Sequence, residues 1–118
     1  MLNDFNNNTP VYLACGYTDL RRGIDGLATI VEQQFNLEPC TNALFLFCGR
    51  RSDRIKGLYW EGDGFLLLYK RLESGKFQWP RKDEKVLSIT PQQYRWLMEG
   101  LSIVQPKSNK KINGIKFS

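Results

Sequence analysis

Apolar positions mark out the elements of this chain before any other property is considered. Residues 11–15 form a short apolar run closed by Gly16, the pattern of a strand. Leu20, Ile24, Leu27, Val31 and Phe35 then recur at helical spacing. With Thr18 as N-cap and Asp19 favourable at a helix start, they predict an amphipathic helix over residues 19–35. Gly23 and Gly26 each cost such a helix roughly 1 kcal/mol against alanine. They fit if the apolar side presses closely onto a sheet, or if they leave space for a partner.

Residues 43–48, ALFLFC, are continuously apolar between Asn42 and Gly49, the pattern of a central strand buried on both faces. Residues 55–60 and 65–72 follow as a hairpin around Glu61-Gly62-Asp63-Gly64. Residues 76–79 read as a further strand after the Ser74-Gly75 turn, and residues 85–89 as a shorter one. Thr90-Pro91-Gln92-Gln93 combines an N-cap, a proline at the first helical position and the glutamine of a capping box. The helix it opens carries Tyr94, Leu97, Met98 and Leu101, with Gly100 near its end. Together these predict a single α+β domain over residues 11–104, an antiparallel or mixed sheet of about five strands with two helices. Residues 1–10, polar and Asn-rich, are expected as a flexible arm, and residues 105–118 as a basic flexible tail.

The hairpin carries the candidate chemistry. If Gly62 and Asp63 are its two-residue loop, Trp60 pairs with Phe65, Leu58 with Leu67, Lys56 with Tyr69 and Arg54 with Arg71. These eight residues then share one face, apolar at the turn end, with three cations and a tyrosine at the far end. Tyr59, Leu66, Leu68, Ile55 and Lys70 take the other face. A loop centred on Asp63 and Gly64 changes the pairs but leaves one end of the hairpin cationic. Arg50 and Arg51 lie just before that end, so several guanidiniums can converge there. Guanidinium suits phosphate because its planar fork donates two parallel hydrogen bonds. The candidate nucleic-acid contacts are therefore Arg50, Arg51, Arg54, Lys56, Lys70 and Arg71 for phosphate, with Tyr59 and Tyr69 for base or sugar. Asp53 is expected to orient the arginines by a local ion pair, and Trp60, Phe65, Phe77 and Trp79 to serve the core.

Charge strengthens this reading. The first 48 residues hold two cations, Arg21 and Arg22, against five acids, and the remaining 70 hold fifteen against seven. An anionic partner for the second part fits this asymmetry, with nucleic acid the commonest; a solvated basic face would carry the same charge. Enzyme chemistry finds little support. There is no histidine, and Cys15, Cys40 and Cys48 form no C-x-x-C. Cys15 and Cys48 sit in apolar runs and are expected as buried thiols. Asp19 and Asp25 are six apart and do not share a helix face, and Glu61 and Asp63 are explained by the turn. Cys15-Gly16-Tyr17-Thr18-Asp19 has a single glycine and is no phosphate loop. No metal site, catalytic residue or cofactor is expected. The start, MLNDFNNNTP, lacks the parts of a secretory signal, and no apolar run approaches the ~20 residues of a membrane span, so a cytoplasmic protein is expected.

The order of these motifs resembles one family. Val11-Tyr12-Leu13-Ala14-Cys15-Gly16-Tyr17-Thr18-Asp19-Leu20-Arg21-Arg22, then Asp25-Gly26-Leu27, is similar to its opening V-x-L-x-x-G-x-T-D-M-R-K…D-G-L. Leu46-Phe47-Cys48-Gly49-Arg50-Arg51-Ser52-Asp53-Arg54-Ile55-Lys56 resembles its F-x-N-R-R-R-D-R-I-K block, and Leu58-Tyr59-Trp60 through Trp79-Pro80 its final block. The family is the TnpB-type accessory protein of insertion sequence 66 elements, encoded by the second open reading frame. The resemblance implies a bacterial mobile-element protein acting in transposition beside a separate transposase that cuts and joins DNA. DNA at the element ends and the transposase are the implied partners. An adaptor docking on the transposase without touching DNA is the alternative. Thr18, Asp19, Arg21 and Asp25 match motif positions and read first as cap and ion-pair residues. Tyr17 replaces the family's usual proline, which loosens the turn before the helix. Gly49 and Ser52 interrupt its asparagine and arginine positions, and the latter removes a cation from the densest block.

Overall fold

A computed structural model describes residues 8–81 and 83–105. The expected arm and tail fall outside the described residues except for positions 8–10 and 105. The strands are β1 (Val11–Ala14), β2 (Leu44–Cys48), β3 (Arg54–Trp60), β4 (Phe65–Arg71) and β5 (Val86–Ile89), and the helices are α1 (Ile24–Thr29) and α2 (Pro91–Met98). The five strands form one mixed sheet in the order β4-β3-β2-β1-β5. Only β1 and β2 run parallel, joined by a crossover through α1. The α+β architecture expected from the apolar pattern is the one found.

The uniformly apolar run ALFLFC becomes β2, the central strand, and all five of its residues are buried. Its side chains alternate between two cores. Leu44, Leu46 and Cys48 join Leu13, Ile55, Trp79 and Leu97 on the side covered by α2. Phe45 and Phe47 join Leu27, Val31 and Leu58 on the side covered by α1. The β3–β4 register pairs Trp60 with Phe65, Leu58 with Leu67, Lys56 with Tyr69 and Arg54 with Arg71. The Glu61 amide donates to the Gly64 carbonyl at 2.8 Å, which makes Gly62 and Asp63 the two-residue loop, and Gly62 takes φ +97° there. The capping box of α2 also forms, with the Gln93 amide donating to Thr90 Oγ1 at 3.1 Å and the Thr90 amide to Gln93 Oε1 at 2.9 Å.

Several expectations need correction. The helix expected from residue 19 begins at Ile24, with Gly23 in extended backbone at its N-cap position, while the Thr18 amide ties the preceding loop to the Cys48 carbonyl (2.9 Å). Its second half, Ile30–Gln34, widens to a π-helical turn, with the Phe35 amide reaching the Ile30 carbonyl at 3.2 Å. Gly23 and Gly26 do not admit the sheet. A Cβ at Gly23 would meet nothing within 4 Å, and one at Gly26 would meet Arg22 Cβ at 3.1 Å.

Residues 76–79 form no strand. They cross the α2 side of the sheet, tied by the Phe77 amide to the Ser52 carbonyl (2.6 Å) and by Trp79 Nε1 to the Ala14 carbonyl (2.8 Å). Phe77 and Trp79 are buried as core residues, whereas Trp60 and Phe65 are half-buried and meet edge to face at 4.9 Å. Leu101 lies past the end of α2 and is exposed, and Cys15 is only half-buried beside a fully buried Cys48. Among the described residues no helix is long and apolar enough to cross a membrane.

Candidate nucleic-acid interface

The cationic end of the hairpin is shaped by the turn that feeds β3. The Ser52 amide donates to the Gly49 carbonyl (2.9 Å) and the Gly49 amide to the Arg54 carbonyl (3.1 Å). Arg50 and Arg51 therefore occupy the turn's corners and are exposed. Ser52 has φ +62° and is buried, so the position that departs from the arginine block points a small side chain inward. The carbonyls of Ser52 and Asp53 accept from the Phe77 and Leu72 amides at 2.6 and 2.7 Å, which fixes the turn against the following segment.

Asp53 and Arg54 form a fork, Nε to Oδ1 at 2.9 Å and Nη2 to Oδ2 at 3.3 Å. Hydrogen bonding to Arg54 holds the Asp53 carboxyl below the usual carboxylate range, with the Arg51 charge adding a little. The expected orienting ion pair is thus present, and it engages Arg54. Arg50 and Arg51 make no hydrogen bond or ion pair with a described residue. Lys56 Nζ donates to the Arg22 carbonyl (3.1 Å) and stands 6.0 Å from the centre of the Tyr69 ring.

The opposing wall is the loop between β1 and α1. Gly16 turns it with φ +76°, and its amide donates to the Pro80 carbonyl at 3.0 Å. The Arg81 guanidinium lies 4.6 Å from the centre of the Tyr17 ring. Asp19 accepts from Arg21 Nε at 3.0 Å and Nη2 at 2.8 Å, which holds its carboxyl well below the usual carboxylate range. Leu20 brings the loop onto the turn: a Cβ at Gly49 would meet Leu20 Cδ1 at 3.2 Å and Arg54 Cγ at 3.3 Å. Glycine at 49 thus permits the close approach of the two walls.

Between these walls runs a groove of about 920 Å³, on the face of the sheet that carries α1. Of the candidate residues, it brings together Arg50, Arg51, Arg54, Lys56 and Tyr69. Arg71 shares that face, is exposed at the end of β4 and pairs with Glu73 at 3.7 Å, outside the groove lining. Lys70 and Tyr59 are on the opposite face, where Tyr59 donates to Asn42 Oδ1 at 2.7 Å. Tyr17 and Arg21 also line the groove, although neither was a binding candidate from the sequence. The one available signal was Tyr17 itself, an aromatic in place of a proline beside the paired arginines 21 and 22.

Among the described residues no three His, Cys, Asp or Glu side chains gather as a metal site. Burial pushes the Cys48 thiol up to about 12, partly offset by a hydrogen bond with Ser52. Such a thiol is protonated and unsuited to attack.

The groove residues fall within a span that known proteins share. A family model described as IS66 Orf2 like protein matches residues 9–108. The uncharacterized protein y4hO of Sinorhizobium fredii is 35% identical over 100 residues, covering 85% of this chain and 87% of that protein. The uncharacterized protein y4jC of the same organism is 34% identical over 97 residues, covering 82% and 83%. No solved structure matches the chain. With 100 residues matched in order, from the start of β1 past the end of α2, the chain belongs to the IS66 Orf2-like family.

Proposed function

We propose that this protein is a non-enzymatic accessory factor for transposition of an insertion sequence 66 type element, and that it holds DNA by backbone phosphate. The observation that supports this most is the convergence of Arg21, Arg50, Arg51, Arg54 and Lys56 on one groove. Two of the five are already forked to Asp19 and Asp53, which fixes their planes. Arg50 and Arg51 stand in solvent on a turn whose backbone is pinned. They are the side chains most ready to exchange water and counterions for phosphate. Cutting and joining DNA is left to a separate transposase, in keeping with a chain that contains no histidine.

The test is affinity for DNA from the element's ends, offered as duplex and as separated strands, by fluorescence anisotropy at 50 and 200 mM salt. Neutralising about five phosphates gives a slope in log K against log salt near −4.5 for a duplex and about −3.5 for a single strand, a loss of about 500-fold or about 130-fold over that range. The double variant R50A/R51A lowers the magnitude of the slope by about 1.8 on a duplex and about 1.4 on a single strand. Affinity that ignores salt, or that the double variant leaves unchanged, refutes the proposal.

A further inference from the structure

We propose that the groove is built for a single strand, its bases stacked on Tyr17 and Tyr69 while the cations follow the phosphates. This rests on the DNA-binding reading above and deepens it. Tyr69 is 54% exposed and Tyr17 43% exposed, the only two exposed aromatic side chains among the described residues, and both line the same cationic groove. Neither ring is needed to fill a core. Each is also held near a cation: Lys56 stands by Tyr69 and Arg81 lies over Tyr17. Aromatic faces set within a basic channel are how proteins hold unpaired bases, because every base offers a π-face whatever its sequence.

Shape excludes the usual duplex readers. A protein reads B-DNA by inserting a helix or a two-stranded ribbon into a major groove about 12 Å wide. Neither element here is suited to that. Residues 24–34, which form α1 and its π-helical extension, contain no Lys or Arg and carry Asp25 and Glu32. The one cation of α2, Arg95, is hydrogen-bonded to Gln92 within the helix, and α2 packs on the other side of the sheet. The β3–β4 ribbon has its exposed tip at Glu61 and Asp63, so its leading end would meet phosphate with negative charge. Its cations lie at the opposite end, at the base of the ribbon, where the Tyr17 loop encloses them. The concave, basic surface is on the protein, which suits a strand laid into it.

The experiment compares labelled oligo-dT, oligo-U and an oligo-dA·oligo-dT duplex of equal length, by anisotropy on the full chain at about 100 mM salt. Oligo-dT is expected to bind at least tenfold more tightly than the duplex. Y69A and Y17A should each weaken oligo-dT binding by roughly 5- to 150-fold, the worth of one stacked base, with the salt slope unchanged. Y69L keeps an apolar side chain without a π-face and should lose as much as Y69A, whereas Y69F should retain most of the affinity. Circular dichroism confirms that each variant folds. Duplex binding as tight as oligo-dT, or tyrosine variants that bind as the parent does, overturns the single-strand proposal and leaves phosphate contact standing. Binding to none of the three overturns both. Tighter binding of oligo-U than of oligo-dT overturns the assignment to DNA.

Discussion

Trp79→Phe isolates the one side-chain hydrogen bond by which residues 76–79 are tied to β1. The indole Nε1 donates to the Ala14 carbonyl at 2.8 Å, across most of the chain, and Trp79 is 5% exposed. Phenylalanine keeps an aromatic ring in the core but has no donor. The buried Ala14 carbonyl then loses this partner, at a cost of about 1–3 kcal/mol. The missing half of the indole leaves a void in a core where close packing is the rule, adding on the order of 1 kcal/mol. A loss of about 2–4 kcal/mol follows, equivalent to roughly 8–16 °C in Tm for a domain of this size.

Urea unfolding followed by circular dichroism measures the loss directly, and an unchanged m-value confirms that the denatured state is unaffected. Trp60→Phe is the control. Trp60 is half-buried at the turn end of the hairpin, and its contact is an aromatic edge to Phe65, which a phenyl ring can preserve. Its cost should stay below about 1 kcal/mol, the worth of one aromatic pair. If Trp79→Phe costs no more than Trp60→Phe, the hydrogen bond to Ala14 does not anchor the segment and the reasoning fails. The anchor matters to the groove because Trp79 is followed by Pro80, whose carbonyl fixes Gly16, and by Arg81, whose guanidinium lies against Tyr17.

Thr90→Ala should cost about 1 kcal/mol by removing the cap of α2, and Thr90→Ser should restore most of it, read as urea midpoints. Thiol labelling of the native protein should reach exposed Cys40 first and half-buried Cys15 more slowly. Cys48, buried and with its thiol pushed up to about 12, should label only on unfolding, as mass spectrometry of timed samples would report. Asp19 and Asp53 both have depressed carboxyl pKa values in the folded state. The stability they contribute is therefore present above the unfolded carboxylate value of about 4 and is lost as pH falls through the depressed values. Urea midpoints should drop below about pH 4, and D19N/D53N should flatten that decline; an equally steep decline in the double variant would contradict it.

What could be read from the sequence follows from how far apart the partners of each feature lie. The apolar run of β2, the Gly62 and Asp63 loop and the capping box at Thr90 all specify structure through neighbours a few residues away, and each formed as the pattern implied. The false start of α1 has the opposite origin. Thr18 and Asp19 satisfy every local rule for a helix start, but the Thr18 amide takes the Cys48 carbonyl and the Asp19 carboxylate takes Arg21. Residues 76–79 misled for the same reason: apolar alternation describes what they bury, while single bonds to Ser52 and Ala14 decide how they lie.

The groove divides along this line too. Strand parity placed Arg54, Lys56 and Tyr69 together because a hairpin register is a local property. It could not supply Tyr17 or Arg21, which reach the groove from another segment, nor Arg81, which lies against the Tyr17 ring. That missing wall changes the chemistry implied. A cationic hairpin end alone is a convex patch that any polyanion could touch. With the Tyr17 loop against it, the same arginines line a groove with an exposed ring from each wall, the arrangement on which the single-strand proposal rests. The stacking variants therefore test more than affinity: if either tyrosine is silent, the two walls do not act on one strand.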